Sequence, residues 1–268
     1  SGYYLYGGLL YGGGEVDIDG LVAEDNAFTA LGTTSSSSDV YGGLWYQWDG
    51  NTRLTNSSFS GNVVAANDDV WSVFQLEYEG DFALENVLFV DNVVETASTT
   101  SNNYSYGLFY LYFTTVSLTN VDVANTEWQG FDRVFGLLGY RSYEGSLLVT
   151  NSNVVDNTAG AATTYAGLLY SDYSNDDGYG EFSFDYSNDY GNWTTWDYGY
   201  NWYDGGYDGD FTAFDGVLAD DPLYTDAANG DYTLGTGSPA IDAGSPDLLD
   251  ADGTTSDIGA FGGPSANL

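Results

Sequence analysis

The sequence predicts an all-β chain wound as a parallel β-helix, a solenoid of about six rungs followed by an irregular C-terminal segment. Two observations carry this expectation. Short β-type runs recur at a near-constant spacing, and Gly, Asn and Asp punctuate them where turns must fall. A third excludes helical repeats of similar length: the segments are too short, too rich in Val, Phe, Tyr and Thr, and lack a sustained 3.6-residue periodicity.

The first series of runs is Gly8-Leu9-Leu10-Tyr11, Gly43-Leu44-Trp45-Tyr46, Ser72-Val73-Phe74-Gln75, Gly107-Leu108-Phe109-Tyr110, Arg133-Val134-Phe135-Gly136 and Gly167-Leu168-Leu169-Tyr170. A second series follows each by about 10 to 16 residues, within the same repeat. It has the form apolar-x-(Asn or Gly)-x-x-apolar-x-x-(Asn or Thr). Five copies align without gaps: Ile18/Gly20/Ala23/Asn26, Leu54/Asn56/Phe59/Asn62, Leu84/Asn86/Phe89/Asn92, Leu118/Asn120/Val123/Thr126 and Val149/Asn151/Val154/Asn157. Their first positions are 36, 30, 34 and 31 residues apart, and a degenerate sixth copy surrounds Phe182 to Asn192. Two or three short strands per period of this length make one rung of a β-solenoid.

Period-two alternation gives each side chain a direction. Leu54 and Asn56 share parity, so an inward Leu54 places Asn56 inward too, at the corner where the strand turns. The same reasoning covers Asn86, Asn120 and Asn151. Stacked amides about 4.8 Å apart can hydrogen-bond rung to rung, so an internal Asn ladder is expected at these four positions. Ligand binding by the same amides is the alternative. Insertions fall at one place in the rung, at 32–39, 66–69, 96–105 and 158–164. They form either solvated loops or a ridge that carries a variable binding surface.

Forty acidic residues face three basic ones, Arg53, Arg133 and Arg141, with no Lys or His, for a formal charge of −37. Such a field repels phosphate backbones and anionic lipid surfaces, so nucleic acid and basic-patch membrane binding are not expected. Cations are the natural partners, and salt or divalent ions should relieve self-repulsion. No Cys is present, so neither disulfides nor thiolate zinc sites contribute. No apolar run of about 18 residues occurs that would span a bilayer as a helix. Ser1-Gly2-Tyr3-Tyr4 reads as strand rather than as a signal peptide, and Ser1 is not expected to be the start of the gene product.

Past Asn192 the repeat fades into an aromatic, Gly- and Asp-rich stretch. Four blocks follow: Ala219-Asp220-Asp221-Pro222-Leu223-Tyr224, Asn229-Gly230-Asp231-Tyr232-Thr233-Leu234, Gly237-Ser238-Pro239-Ala240-Ile241-Asp242-Ala243-Gly244, and Asp257-Ile258-Gly259-Ala260-Phe261-Gly262. In this order they resemble the C-terminal end of bacterial right-handed parallel β-helix surface proteins, particularly those called choice-of-anchor domains. The resemblance covers about 219–262, and more weakly the rungs from Gly8 to Asn192. It implies a right-handed solenoid over 1–200, a capping or pre-anchor segment over 201–268 packed on it, and a secreted, cell-surface setting. It also implies a variable sorting or anchoring tail after the solenoid, of a type that these residues do not specify.

Parallel β-helices include polysaccharide lyases and hydrolases, but fold alone does not confer catalysis, and the residues must supply it. A lyase site needs a basic residue beside calcium-binding acids, and the three Arg lie in three different repeats. The pairs Asp68-Asp69, Asp176-Asp177 and Asp220-Asp221 fall in apparent loops, where 40 acids make adjacency ordinary. No enzymatic activity is expected. Trp45, Tyr46, Trp193, Trp196 and Trp202 could stack on sugars or simply pack the core. The run Asp250-Ala251-Asp252-Gly253-Thr254-Thr255-Ser256-Asp257 offers Asp250, Asp252 and Asp257 as oxygen ligands for calcium, or is ordinary Gly/Asp turn chemistry. The expected function is an extracellular structural or adhesive scaffold, possible as a subunit of a head-to-tail fibre. The alternative is a carbohydrate-binding or polysaccharide-hydrolysing surface protein.

Overall fold

The computed structural model describes residues 3–30, 38–97, 103–131, 133–140, 146–161, 165–172, 182–194, 201–203 and 214–268. Arg141, the pair Asp176-Asp177 and Trp196 lie outside the described residues, as do the side chains of Arg133 and Trp202.

Parallel strands stack into a β-solenoid with about four regular turns and thinner turns at its ends. One face runs Leu10–Gly12, Trp45–Gln47, Phe74–Val90, Phe109–Ala124, Ser146–Thr150 and Phe182–Asp185. A second runs Ala27–Ala30, Val63–Ala66, Val93–Thr96, Glu127–Gly130, Thr158–Ala161 and Trp193–Thr194. On the third, Tyr3–Tyr6 pairs Ser38–Tyr41, and Tyr104–Ser105, Arg133–Tyr140, Tyr165–Asp172 and Asn201–Tyr203 continue the stack through bridges at Val70.

Register matches the repeat residue by residue. Ile18 pairs Leu54, Leu54 pairs Leu84, Leu84 pairs Leu118, Leu118 pairs Val149, and Val149 pairs Phe184. Equivalent apolar residues therefore lie on one another and fill the interior. Leu54, Phe59, Phe74, Phe82, Phe109, Trp128 and Phe184 are all buried, and Phe74 meets Phe59 and Phe109 at 5.5 and 5.4 Å between ring centroids. Such aromatic pairs add to the gain from burying apolar area.

The corner asparagines correct the expected ladder. Asn56, Asn86, Asn120 and Asn151 do occupy equivalent corners, each in the left-handed region with φ between 46° and 55°. Asn tolerates that conformation better than other residues carrying a Cβ. The same conformation breaks the strand alternation on which an inward direction depended: Thr55 and Ser57, on either side of Asn56, are both buried. The four amides point away from the core, and their hydrogen bonds go to Asp19 and to residues 245–267 rather than to one another.

The internal ladder lies six residues further along the same motif. Asn62 Oδ1 accepts from both the backbone N–H and Nδ2 of Asn26, and Asn92 Oδ1 does the same for Asn62, at 3.0 to 3.2 Å. Asn192 serves Asn157 in the same way. The Nδ2 groups of Asn62, Asn92 and Asn157 also donate to the carbonyls of Ala23, Phe59 and Val123, so these buried amides are well satisfied. Thr126 fills the one non-Asn position, its N–H donating to Asn157 Oδ1 at 2.9 Å.

Residues 214–218 extend the stack, with Leu218 bridged to Asn188. The chain then turns back along the flank. Tyr224–Asp226 and Asp231–Leu234 form an antiparallel hairpin, after which the chain descends the corner column in order. Ser245 N–H donates to Asn151 Oδ1 at 2.7 Å. Asn120 Nδ2 donates to Ser256 Oγ and the Asp257 carbonyl. Asn86 Nδ2 donates to the Ala260 and Gly262 carbonyls, and Asn267 N–H to Asn56 Oδ1. Two glycines permit the close approach: a Cβ at Gly262 would stand 2.5 Å from Asn120 Nδ2, and one at Gly259 2.5 Å from Asn153 Nδ2. The segment expected as a cap thus straps several turns together along one side.

Candidate functional site

The first face carries the most unusual surface chemistry. Gln47 pairs Leu76 and Leu76 pairs Leu111, so the residues that follow stand at neighbouring places in three successive turns. Pairing between the third and fourth turns shifts register between Glu77 and Gly80, a bulge. Tyr78 and Phe113 stand there with φ of 60° and 56°. Glycine or asparagine would sit in that conformation comfortably. A bulky aromatic is strained there by about 1–3 kcal/mol, a cost tolerated only where the surroundings enforce it.

The result is a set of outward rings. Trp48 is 39% exposed, Tyr78 57% and Phe113 36%. With the exposed side chain of Asp49 they line an open depression of about 480 Å³. Successive turns rise about 4.8 Å, so three rings from three turns span roughly 10 Å along the solenoid axis. Tyr112 braces the site, meeting Tyr78 at 5.3 Å and Phe113 at 4.6 Å, both edge-on, while Tyr11 meets Trp48 edge-on at 5.0 Å.

Beside it runs a ladder of stacked rings, one per turn. Tyr6 lies on Tyr41 at 4.9 Å, Tyr41 on Trp71 at 5.5 Å, and Trp71 on Tyr106 at 5.1 Å. Between ladder and depression, Tyr46 donates its hydroxyl to Glu77 Oε2 at 3.1 Å. Burial first, and the neighbouring Glu77 carboxylate second, push the Tyr46 phenol well above its ordinary value.

The residues singled out from the sequence fall elsewhere. Trp45 is core, its Nε1 donating to Gln47 Oε1, and Trp193 is exposed at the far end of the stack. Asp250 accepts from the N–H groups of Asp257 and Gly263, Asp252 from the N–H and hydroxyl of Thr254, and Asp257 from Asp242 N–H. These carboxylates staple turns of the strap. Among the described residues no group of three acidic side chains converges in a way that could hold a metal ion. In the pair Asp68-Asp69, Asp69 N–H donates to Asp39 Oδ1 and Asp69 Oδ1 accepts from Tyr104 N–H. Burial pushes Asp69 up to about 7, with Asp39 and Asp68 adding to the effect. Asp220 and Asp221 likewise serve backbone and Asn188 contacts.

Two features escaped the sequence reading. Nothing in the order of residues marks Trp48, Tyr78 and Phe113, although the extra residue between Glu77 and Gly80 relative to the next turn hints at a bulge. The other is Asp122, which is wholly buried between the wall and the strap. It accepts from Asn153 Nδ2 at 2.7 Å, from the Tyr224 hydroxyl at 2.9 Å and from Ala260 N–H at 2.9 Å. Burial outweighs these donors and raises its carboxyl to about 6.

Comparison of the chain with protein-family models, with curated proteins and with solved structures found no match in any of the three.

Proposed function

We propose that this chain is an extracellular structural or adhesive surface scaffold whose contact face is the Trp48/Tyr78/Phe113 depression. The observation that carries the reading is the pair of aromatic residues held in left-handed backbone at equivalent places of two turns, with their rings exposed. Strain of this kind and exposed aromatic area both oppose stability, and a contact function is a reason to keep them. The solenoid beneath supplies a rigid base, since its inner Asn ladder is hydrogen-bonded from turn to turn. The resemblance of 219–262 to bacterial choice-of-anchor proteins supports a secreted, cell-surface setting. Calcium fits as a counter-ion for the charge of −37.

Self-association belongs to the same reading. Charge sets its conditions, since copies that each carry −37 approach only where salt or calcium screens them.

Adhesion of beads coated with the chain tests the reading on polysaccharide-coated and protein-coated surfaces. The comparison is with beads carrying the Trp48→Ala/Tyr78→Asn/Phe113→Asn variant. Wild-type beads should be retained on at least one surface and variant beads released. Equal retention of both on every surface overturns it.

A further inference from the structure

We infer that the depression binds an uncharged pyranose chain lying along the solenoid axis, an inference that rests on the adhesive reading of the same face. Size is the first argument. A volume of about 480 Å³ lies in the range of small-ligand sites, whereas a stable protein interface needs about 800 Å² from each partner.

Shape is the second. Trp48, Tyr78 and Phe113 come from three consecutive turns and line one depression, Tyr78 and Phe113 at corresponding places and Trp48 one residue earlier in register, so exposed rings succeed one another along the solenoid. A ligand that matches them repeats a flat apolar surface at similar intervals, as a chain of pyranose rings does through its axial C–H faces.

Charge and hydrogen bonding narrow the ligand further. Asp49 offers the lining a carboxylate that accepts hydrogen bonds, Tyr78 a hydroxyl that donates or accepts, and Trp48 an indole N–H that donates. A ligand rich in hydroxyls, which do both, finds partners of either kind. Stacked nucleobases meet the shape requirement too, but their phosphates are repelled by a charge of −37, and so are uronic or sulfated sugars.

The strained backbone separates binding from folding. Asn accepts the left-handed conformation of Tyr78 and Phe113, so Tyr78→Asn and Phe113→Asn remove the rings while relieving strain. A ring kept for structure would be missed in the melting temperature. A ring kept for a ligand would be missed only in binding.

Calorimetric titration at physiological salt with cellohexaose, maltohexaose and chitohexaose, beside hexagalacturonate of equal length, tests the inference. At least one neutral hexamer should bind saturably, with affinity rising about tenfold or more from dimer to hexamer as further rings are engaged. Hexagalacturonate should not bind. The Trp48→Ala/Tyr78→Asn/Phe113→Asn variant should lose the binding and keep its melting temperature. Neutral binding that survives in the variant places the glycan elsewhere and overturns the inference, as does equal binding of hexagalacturonate. If no neutral hexamer binds while face-dependent adhesion to a protein-coated surface persists, the glycan inference falls and the adhesive reading stands. If neither occurs, both fall.

Discussion

Asn86 donates through Nδ2 to the carbonyl oxygens of both Ala260 and Gly262, joining a corner of the solenoid to chain 174 residues and more away. The bond is one rung of a seam in which Asn56, Asn86, Asn120 and Asn151 meet the returning strap in order. Asn86→Asp keeps the shape and the tolerance of left-handed backbone but replaces the donor with a charged acceptor facing two carbonyls. It should cost about 2–3 kcal/mol of stability, in line with an unsatisfied buried polar pair. Limited proteolysis should then cut within 240–268 before the solenoid. A variant as resistant as the wild type, with an unchanged denaturation midpoint, would show that the seam contributes little.

The inner ladder predicts a gain of stability. Thr126 stands where every neighbouring turn has Asn, so Asn92 lacks below it the amide oxygen that Asn62 takes from Asn92. Thr126→Asn should raise stability by about 1 kcal/mol, the net worth of added buried hydrogen bonds. Asn92→Ala should lower it by about 2–4 kcal/mol, because it strips partners from buried donors of Asn62. Urea melts of the two variants should move in opposite directions. A Thr126→Asn midpoint below the wild type would mean that the Thr position is sterically closed to an amide.

These two columns show how far the sequence could be read. The repeat was legible because inward Ile18, Leu54, Leu84, Leu118 and Val149 recur in one ungapped motif, and stacking demands that register. That Asn56, Asn86, Asn120 and Asn151 are equivalent was legible for the same reason. Their direction was not, since parity counts side chains only through extended backbone and each of these residues is left-handed. The ladder was therefore assigned to the wrong Asn of the right motif. The strap's blocks were visible as a pattern, but its course past Asn86 and Asp122 depends on contacts across more than 100 residues, which no local rule encodes. Tyr78 and Phe113 were invisible because a positive φ is not expected of an aromatic residue.

Buried carboxylates predict an unusual pH response. Asp69 and Asp122 have folded values of about 7 and about 6 against 3.8, and Asp39, Asp156 and Asp257 are also raised. A raised acid binds its proton more tightly when folded, so the stability it lends is complete below the unfolded value and is lost as pH rises through the folded one. Asp122 alone corresponds to up to about 3 kcal/mol across that window. Asp19 and Asp252, held low by hydrogen bonds, act in the opposite sense and only below their ordinary value. The melting temperature should thus rise from pH 8 down to about 4–5 and fall below that. Asp69→Asn keeps the acceptor for Tyr104 N–H and should flatten the upper part of the rise. A wild-type curve that falls steadily from pH 7 to 5 would contradict the argument.

Self-association, where it occurs, should depend on salt. Two copies that each carry −37 repel, and the barrier to their approach should fall as salt shortens the screening length from about 30 Å at 0.01 M to about 8 Å at 0.15 M. Scattering mass should therefore rise with sodium chloride, and at lower concentration with calcium, whose double charge condenses better on so acidic a surface. Wild-type protein that stays monomeric across the whole salt and calcium series would remove self-association from the reading and leave adhesion to be carried by the single chain.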